Sequence, residues 1–374
     1  MRDVIILGSG PASINCARSL LKINRDFNIR VITKDSFLLS KMVLPSVVRY
    51  NLREDDIKIN FCENGVNFEF GTEVIDIDFE RKKVYTGGGE WHYDLLFIGV
   101  GSVPLRIPFQ NDRVFYPSSF AEMRKLRELI DSGHRRIVIY GFGMATIEFL
   151  DILRILQINP VVVATSSYPL SRVLPEDLGK LFFDYISGFG EFYFKEEIVN
   201  VDSSKIILRS GREVEYDALL VLKGTRPVKV GNLELEVDEY FRTRYDGVFA
   251  AGDAVRVRDM VTEEKKHIHL NSVAWETGFY AGLNMAGVQS EYRGSFFKTV
   301  SKGKALRIQV AGDLFHYDDI VLNRGRDGFC AITTLNHVVT GFFSYNMEVN
   351  FKKVCKIIES KAKIDLAHPF GLFA

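Results

Sequence analysis

Two runs of apolar, mostly β-branched residues, Val4 to Leu7 and Ile137 to Tyr140, each give way to a glycine-rich turn and then to apolar residues at helical spacing. Each unit closes on a second strand-like run rich in β-branched residues, Ile29 to Thr33 in the first and a run ending at Thr165 in the second. Residues 1 to 34 and 135 to 165 therefore predict two βαβ units. After each unit come shorter strand-like stretches in the same order. These are Val74 to Phe79, Lys83 to Thr86 and Tyr93 to Val100, then Glu196 to Val201, Lys205 to Leu208 and Tyr216 to Leu222. Gly87-Gly88-Gly89-Glu90 and Ser210-Gly211-Arg212-Glu213 supply hairpin turns at matching places, so the architecture itself repeats.

Beyond Pro227 the repeat stops. A segment Gly247-Val-Phe-Ala-Ala-Gly-Asp253-Ala precedes a predicted helix, Leu270 to Met285, whose small residues Ala274, Gly278 and Ala281 share one face. Such a face predicts close packing against a strand or a planar ligand. From Phe296 onward the pattern changes to strands at Ala305 to Val310, Phe329 to Leu335 and His337 to Phe343, then an amphipathic helix, Asn350 to Ser360. This predicts a separate C-terminal α+β domain.

The two turns, Gly8-Ser9-Gly10-Pro11-Ala12-Ser13 and Gly141-Phe142-Gly143-Met144-Ala145-Thr146, have the form that receives a dinucleotide pyrophosphate. The first glycine makes the turn, the second lets backbone approach the phosphates, and the helix start offers unpaired N–H groups. The third position demands a tiny residue, and Ser13 and Thr146 both strain that rule. Two copies in one chain predict two nucleotides.

Composition narrows the class. A chain of 374 residues with 47% hydrophobic content predicts two or three domains, and 48 basic against 48 acidic residues give no field to recruit nucleic acid. The first strand begins at residue 4, and no apolar stretch reaches the roughly 20 residues of a spanning helix. The expectation is a cytoplasmic protein without a membrane span. Cys16, Cys62, Cys330 and Cys355 show no metal or dithiol spacing, and Cys16 reads as a buried small hydrophobe. His267 and His269 alternate on one face but lack a third ligand at a recognisable spacing, so no metal site is expected. Trp275 suits core packing and packing on the edge of a planar ligand equally. Lys352, Lys353, Lys356, Lys361 and Lys363 read as a solvated face, and the apolar tail His368 to Ala374 as packing on its own domain.

Gly8-Ser-Gly-Pro-Ala, Tyr93-Asp-Leu-Leu-Phe-Ile-Gly-Val-Gly101-Ser-Val-Pro, Gly141-Phe-Gly-Met-Ala-Thr-Ile-Glu148, Gly224-Thr-Arg-Pro227 and Ala251-Gly-Asp253 occur in a characteristic order. Across its whole length the chain resembles the FAD-dependent pyridine nucleotide-disulfide oxidoreductases. Leu39-Ser-Lys41-Met-Val-Leu-Pro45 is most similar to the rubredoxin reductase, ferredoxin reductase and apoptosis-inducing factor branch. The resemblance implies an α/β fold with two Rossmann-like domains. An FAD domain would be split between 1–108 and 228–295 around an NAD(P) domain at 109–227, with a C-terminal interface domain at 296–374. It implies that Gly8, Gly10, Pro11, Ala12 and Ser13 hold FAD with Thr33, Lys41, Val74, Gly101, Gly252 and Asp253. Val74 would meet the adenine and Asp253 the ribityl or pyrophosphate region. Gly141, Gly143, Thr146 and Gly224 would hold NAD(P)H, which serves as substrate. Lys41 and Glu148 would form an ion pair beside flavin N5 and act in catalysis.

Three departures refine this. Where several relatives carry a redox cysteine the chain has Met42, which forms neither thiolate nor disulfide, so the chemistry left is that of the flavin alone. The acidic ribose-reading residue is missing after both turns. Thr33 stands there in the first unit, with Asp35 as a substitute, and Thr165-Ser166-Ser167 in the second, with Arg172 the nearest cation, so NADH, NADPH and a degenerate site that binds neither tightly all stay open. The residue that screens the flavin in relatives is Met144, with Phe142 the weaker substitute. The reading favoured is hydride transfer from NAD(P)H and electron delivery to a small redox protein such as rubredoxin. An NAD(P)H oxidase using oxygen and a redox-sensing flavoprotein are the rivals, and a homodimer through the C-terminal domain is compatible with all three.

Overall fold

The computed structural model describes residues 1–61, 63–109, 111–230 and 235–364, the side chain of Lys302 excepted. Cys62 and the tail His368 to Ala374 lie outside the described residues. The chain forms two compact units, one of residues 1–42, 54–103 and 226–295, the other of 43–53, 104–225 and 296–374. No helix among the described residues is long and apolar enough to cross a membrane.

The first unit is built on a five-stranded parallel sheet in the order Val248–Ala250, Leu95–Ile98, Arg2–Leu7, Phe27–Ile32, Val66–Glu69. Val4, Ile5, Ile6 and Leu7 are all buried, as a strand covered on both faces requires. The helix Pro11–Ile23 opens with proline in its first turn, where a missing N–H costs nothing. The small-residue helix is Asn271–Met285, and its close partner is a helix rather than a strand. A Cβ on Gly278 would lie 2.1 Å from the Ala12 carbonyl oxygen, and one on Gly282 2.7 Å from that of Cys16, so the two helices touch backbone to backbone. Cys16 is fully buried there, with its Sγ 3.5 Å from the Met285 Sδ. Trp275 is not in the core: it is 38% exposed, with the Arg18 guanidinium 5.6 Å from its ring centroid. A three-stranded antiparallel sheet, Val74–Asp78, Lys83–Thr86 and Gly89–His92, turns through the predicted glycines.

In the second unit a parallel sheet runs Glu191–Phe194, Val161–Ala164, Ile137–Tyr140, Ala218–Val221, Val114–Phe115. Its antiparallel companion is Ile198–Val201, Lys205–Leu208 and Glu213–Glu215, so the predicted repeat of architecture is present. The helix Phe120–Asp131 is capped by Ser119, whose Oγ accepts the Glu122 N–H at 3.3 Å while the Glu122 carboxylate accepts from the Ser118 and Ser119 hydroxyls. The C-terminal part is an antiparallel sheet in the order Lys298–Lys302, Arg307–Gly312, Val338–Tyr345, Phe329–Leu335, Asp319–Arg324. The helix Phe351–Glu359 turns Val354 and Ile358 inward and leaves Lys352, Lys353 and Lys356 exposed.

Candidate functional site

At the first turn Gly8 has φ +92°, and a Cβ there would sit 2.6 Å from the Gly99 carbonyl oxygen, so only glycine fits. Gly10 is the helix N-cap. No side chain caps that helix, its first turn holds no acidic residue, and nothing lies within 4 Å of where a Gly10 Cβ would be. Pro11, Ala12 and Ser13 complete a cradle open to an anion. Ser13 fits its tight position because Gly99 has no side chain: its hydroxyl lies 3.5 Å from the Leu7 and Gly99 carbonyl oxygens.

Two residues beyond Thr33 stands a carboxylate, that of Asp35. The Ser9 hydroxyl, between the two glycines, donates to Asp35 Oδ2 at 2.7 Å and lies 3.0 Å from the Thr33 hydroxyl. Thr33 is buried, and its Oγ1 accepts the Asp35 N–H at 3.2 Å, which fixes that side chain at the strand end. On the other side of the central strand, Asp253 stands in the short turn Gly252–Ala254 and accepts the Ser102 hydroxyl at 2.7 Å, with Gly101 immediately before Ser102. The Gly252 N–H donates to Thr277 Oγ1 at 3.1 Å. Val74 opens its strand and packs partly buried against the core. Lys41 is exposed at the start of the turn Lys41–Val43, next to Met42, which is 65% exposed. The His267 Nδ1 is 3.1 Å from the Val255 carbonyl oxygen and its ring is 5.5 Å from that of His269.

At the second turn Gly141 has φ +118°, and a Cβ would lie 2.4 Å from the Leu222 carbonyl oxygen. Gly143 is the N-cap of Met144–Ile155, again with open space at its Cα and no acidic residue in the first turn. Thr146 is buried and its hydroxyl donates to the Gly141 carbonyl at 2.9 Å, so the larger third residue closes the turn instead of opening it. Gly224 follows the strand Ala218–Val221. The Lys223 Nζ donates to the Tyr140 hydroxyl at 3.1 Å.

Glu148 lies one turn further along the same helix. Burial pushes its carboxyl up to about 7, the Arg49 guanidinium pulls it down and the Asp151 carboxylate adds to the rise. Lys41 belongs to the first unit and Glu148 to the second. Within its own unit the cation that answers Glu148 is Arg49, from the helix Leu44–Tyr50. Sequence reasoning missed Arg49, Asp151 and Ser102. Asp151 carries a faint signal, an acidic residue on the apolar side of Ile147 to Leu153; Arg49 and Ser102 carry none.

Two glycine turns at strand ends, each opening an uncapped helix, one with a carboxylate held by two hydroxyls and the other followed by a partly buried glutamic acid, define a protein built for two dinucleotides. A sequence profile of the pyridine nucleotide-disulphide oxidoreductases matches residues 2–278, and the chain belongs to that family. It is an NAD(P)H-dependent flavoprotein oxidoreductase with FAD as cofactor. The chain is 27% identical over 337 residues to an NADH oxidase of Methanocaldococcus jannaschii, covering 82% of this chain and 75% of that protein. Among solved structures it shares its fold with NADH:rubredoxin oxidoreductase from Clostridium acetobutylicum (TM-score 0.78, 19% identity, 99% of this chain and 98% of that one). The reductase in a covalent putidaredoxin reductase–putidaredoxin complex is similar at TM-score 0.88 and 16% identity, covering 99% of this chain and 97% of that one.

Proposed function

We propose that this flavoprotein uses no thiol and passes electrons to a small redox protein such as rubredoxin. The observation that carries the reading is Met42: it is exposed beside Lys41 in the segment where thiol-using relatives place cysteine, and a thioether supplies no thiolate. Bound FAD supplies acceptance of hydride from the nicotinamide and return of electrons to an acceptor.

The chain's own residues hold and orient. Gly8, Gly10, Pro11, Ala12 and Ser13 take the FAD pyrophosphate on the start of the Pro11–Ile23 helix. Asp35, held by Ser9 and Thr33, accepts the ribose hydroxyls of the adenosine, and Val74 meets the adenine through its backbone. Asp253, held by Ser102, accepts a ribityl hydroxyl, with Gly101 and Gly252 leaving room. Gly141, Gly143, Thr146 and Gly224 take NAD(P)H. Lys41 would donate to bound flavin and offset negative charge on it, and Glu148, whose carboxyl is raised to about 7, would hold a proton beside the second turn.

Replacing Lys41 by Ala is expected to slow anaerobic flavin reduction by NAD(P)H in stopped flow; an unchanged rate removes the role given to it. Oxygen as acceptor is the second reading, favoured by the likeness to the M. jannaschii NADH oxidase. Mixing the reduced protein with rubredoxin, ferredoxin or oxygen separates the two readings by which one reoxidises it fastest.

A further inference from the structure

The two glycine turns share a plan but differ at the residue between the glycines. In the first, Ser9 reaches toward the end of the neighbouring strand and holds the Asp35 carboxylate there. In the second, that place belongs to Phe142, only 7% exposed. Its ring stacks on Phe192 and Phe194 at 5.7 and 5.8 Å, with interplanar angles of 13° and 7°. Phe183 closes the group edge-on at 5.2 and 5.1 Å. The strand Val161–Ala164, whose end reads the ribose in a βαβ dinucleotide site, runs into Thr165 and Ser166, and the Ser166 hydroxyl is engaged by the Tyr168 carbonyl at 2.9 Å.

A carboxylate at that strand end binds the 2'-hydroxyl of NADH and repels the 2'-phosphate of NADPH, while an arginine does the reverse. An aromatic wall with neutral hydroxyls does neither. Lys195 and Glu196 meet this strand end through their backbone N–H groups, which donate to the Ser166 and Ala164 carbonyls at 2.9 and 3.0 Å; the Glu196 carboxylate accepts the Ser210 N–H at 3.3 Å and the Lys195 ammonium acts on the Glu176 carboxylate. Another cation of this region, Arg172, stands elsewhere. The Leu170 N–H donates to the Phe142 carbonyl at 3.0 Å and so ties its segment to the turn. Two residues on, the Arg172 Nη1 comes within 3.4 Å of where a Cβ on Gly224 would be. Gly224 follows Ala218–Val221, which flanks the central strand Ile137–Tyr140 on the side opposite Val161–Ala164. Two strand spacings, about 10 Å, thus separate the strand beside Arg172 from the ribose-reading one. Arg172 thus stands beside Gly224 and away from the strand end that reads the ribose.

We propose that the second site grips its nucleotide only through groups common to NADH and NADPH, with Arg172 on the pyrophosphate and the Phe142, Phe192 and Phe194 wall beside the adenosine ribose. The enzyme then uses both cofactors. This rests on the second turn being the nicotinamide nucleotide site.

The test is calorimetric titration of the FAD-loaded protein with ADP-ribose and with 2'-phospho-ADP-ribose, alongside kcat/KM for NADH and NADPH. The two Kd values are expected to agree within about fivefold, and the Arg172→Met variant to weaken both by about tenfold, the scale of one charge-assisted hydrogen bond. Thr165→Glu, which puts a carboxylate at the strand end, is expected to weaken only the 2'-phosphorylated probe. A preference beyond about 100-fold for either probe in the wild type overturns the proposal, as does an Arg172→Met loss confined to 2'-phospho-ADP-ribose. If neither probe binds the wild type, the nucleotide site itself is misassigned, and the inference falls with it.

Discussion

The Arg49 guanidinium lies 3.7 Å from the Asp151 carboxylate, and both are largely withdrawn from water. Asp151 also accepts the backbone N–H groups of Lys304, Ala305 and Leu306 at 3.0, 2.7 and 3.1 Å. One carboxylate on the helix after the second glycine turn thereby fastens both the Leu44–Tyr50 helix and the connection between the Lys298–Lys302 and Arg307–Gly312 strands. Asp151→Ala leaves three backbone N–H groups, that of Leu306 buried, and a cation without their acceptor. A loss of about 3 to 5 kcal/mol is expected, the cost of breaking a buried pair from one side. Chemical denaturation midpoints check it, and Asp151→Asn, which keeps an acceptor, should lose less.

Glu148 makes stability depend on pH. Its folded-state value of about 7 lies above the usual 4.5, so folding takes up a proton between those values. The contribution is fully present below about pH 4.5 and is lost as pH rises through about 7. Glu148→Gln should flatten this dependence in denaturation series between acid and neutral pH. Arg49→Met removes the cation that lowers Glu148 and should move the transition up, whereas Asp151→Asn should move it down.

The two turns should fail separately. Gly8→Ala forces a side chain to within 2.6 Å of the Gly99 oxygen at φ +92°, and Gly141→Ala to within 2.4 Å of the Leu222 oxygen at φ +118°. Each strain is on the order of 1 to 3 kcal/mol or more at its own turn. The first variant should purify with flavin depleted. The second should stay yellow while its KM for NAD(P)H rises at least tenfold, which absorbance ratios and steady-state rates will read.

What the sequence made legible follows from the range of the interactions. Both parallel sheets could be found because a strand covered on both faces is an unbroken apolar run, as Val4 to Leu7 and Ile137 to Tyr140 are. The glycine turns were equally plain, since Gly8 and Gly141 adopt conformations other residues avoid. The small residues of Asn271–Met285 announced a close approach but not its partner, because Gly278 meets Ala12 across most of the chain. Arg49, Asp151 and Ser102 act through contacts 100 or more residues apart, and no local periodicity records those. Asp35 was visible only as a neighbour of Thr33; the Ser9 hydrogen bond that ties its carboxylate to the first glycine turn joins residues 26 apart.

The central claim, a flavin working without a thiol partner, is tested most directly by anaerobic titration of the purified yellow protein with NADH or dithionite while its visible absorption is followed. With Met42 in the cysteine's place, about one two-electron equivalent per FAD should bleach the flavin completely, and alkylating the cysteines should change neither the end point nor turnover. A requirement for about two equivalents, or loss of turnover on alkylation, would reveal a second redox centre and contradict the account.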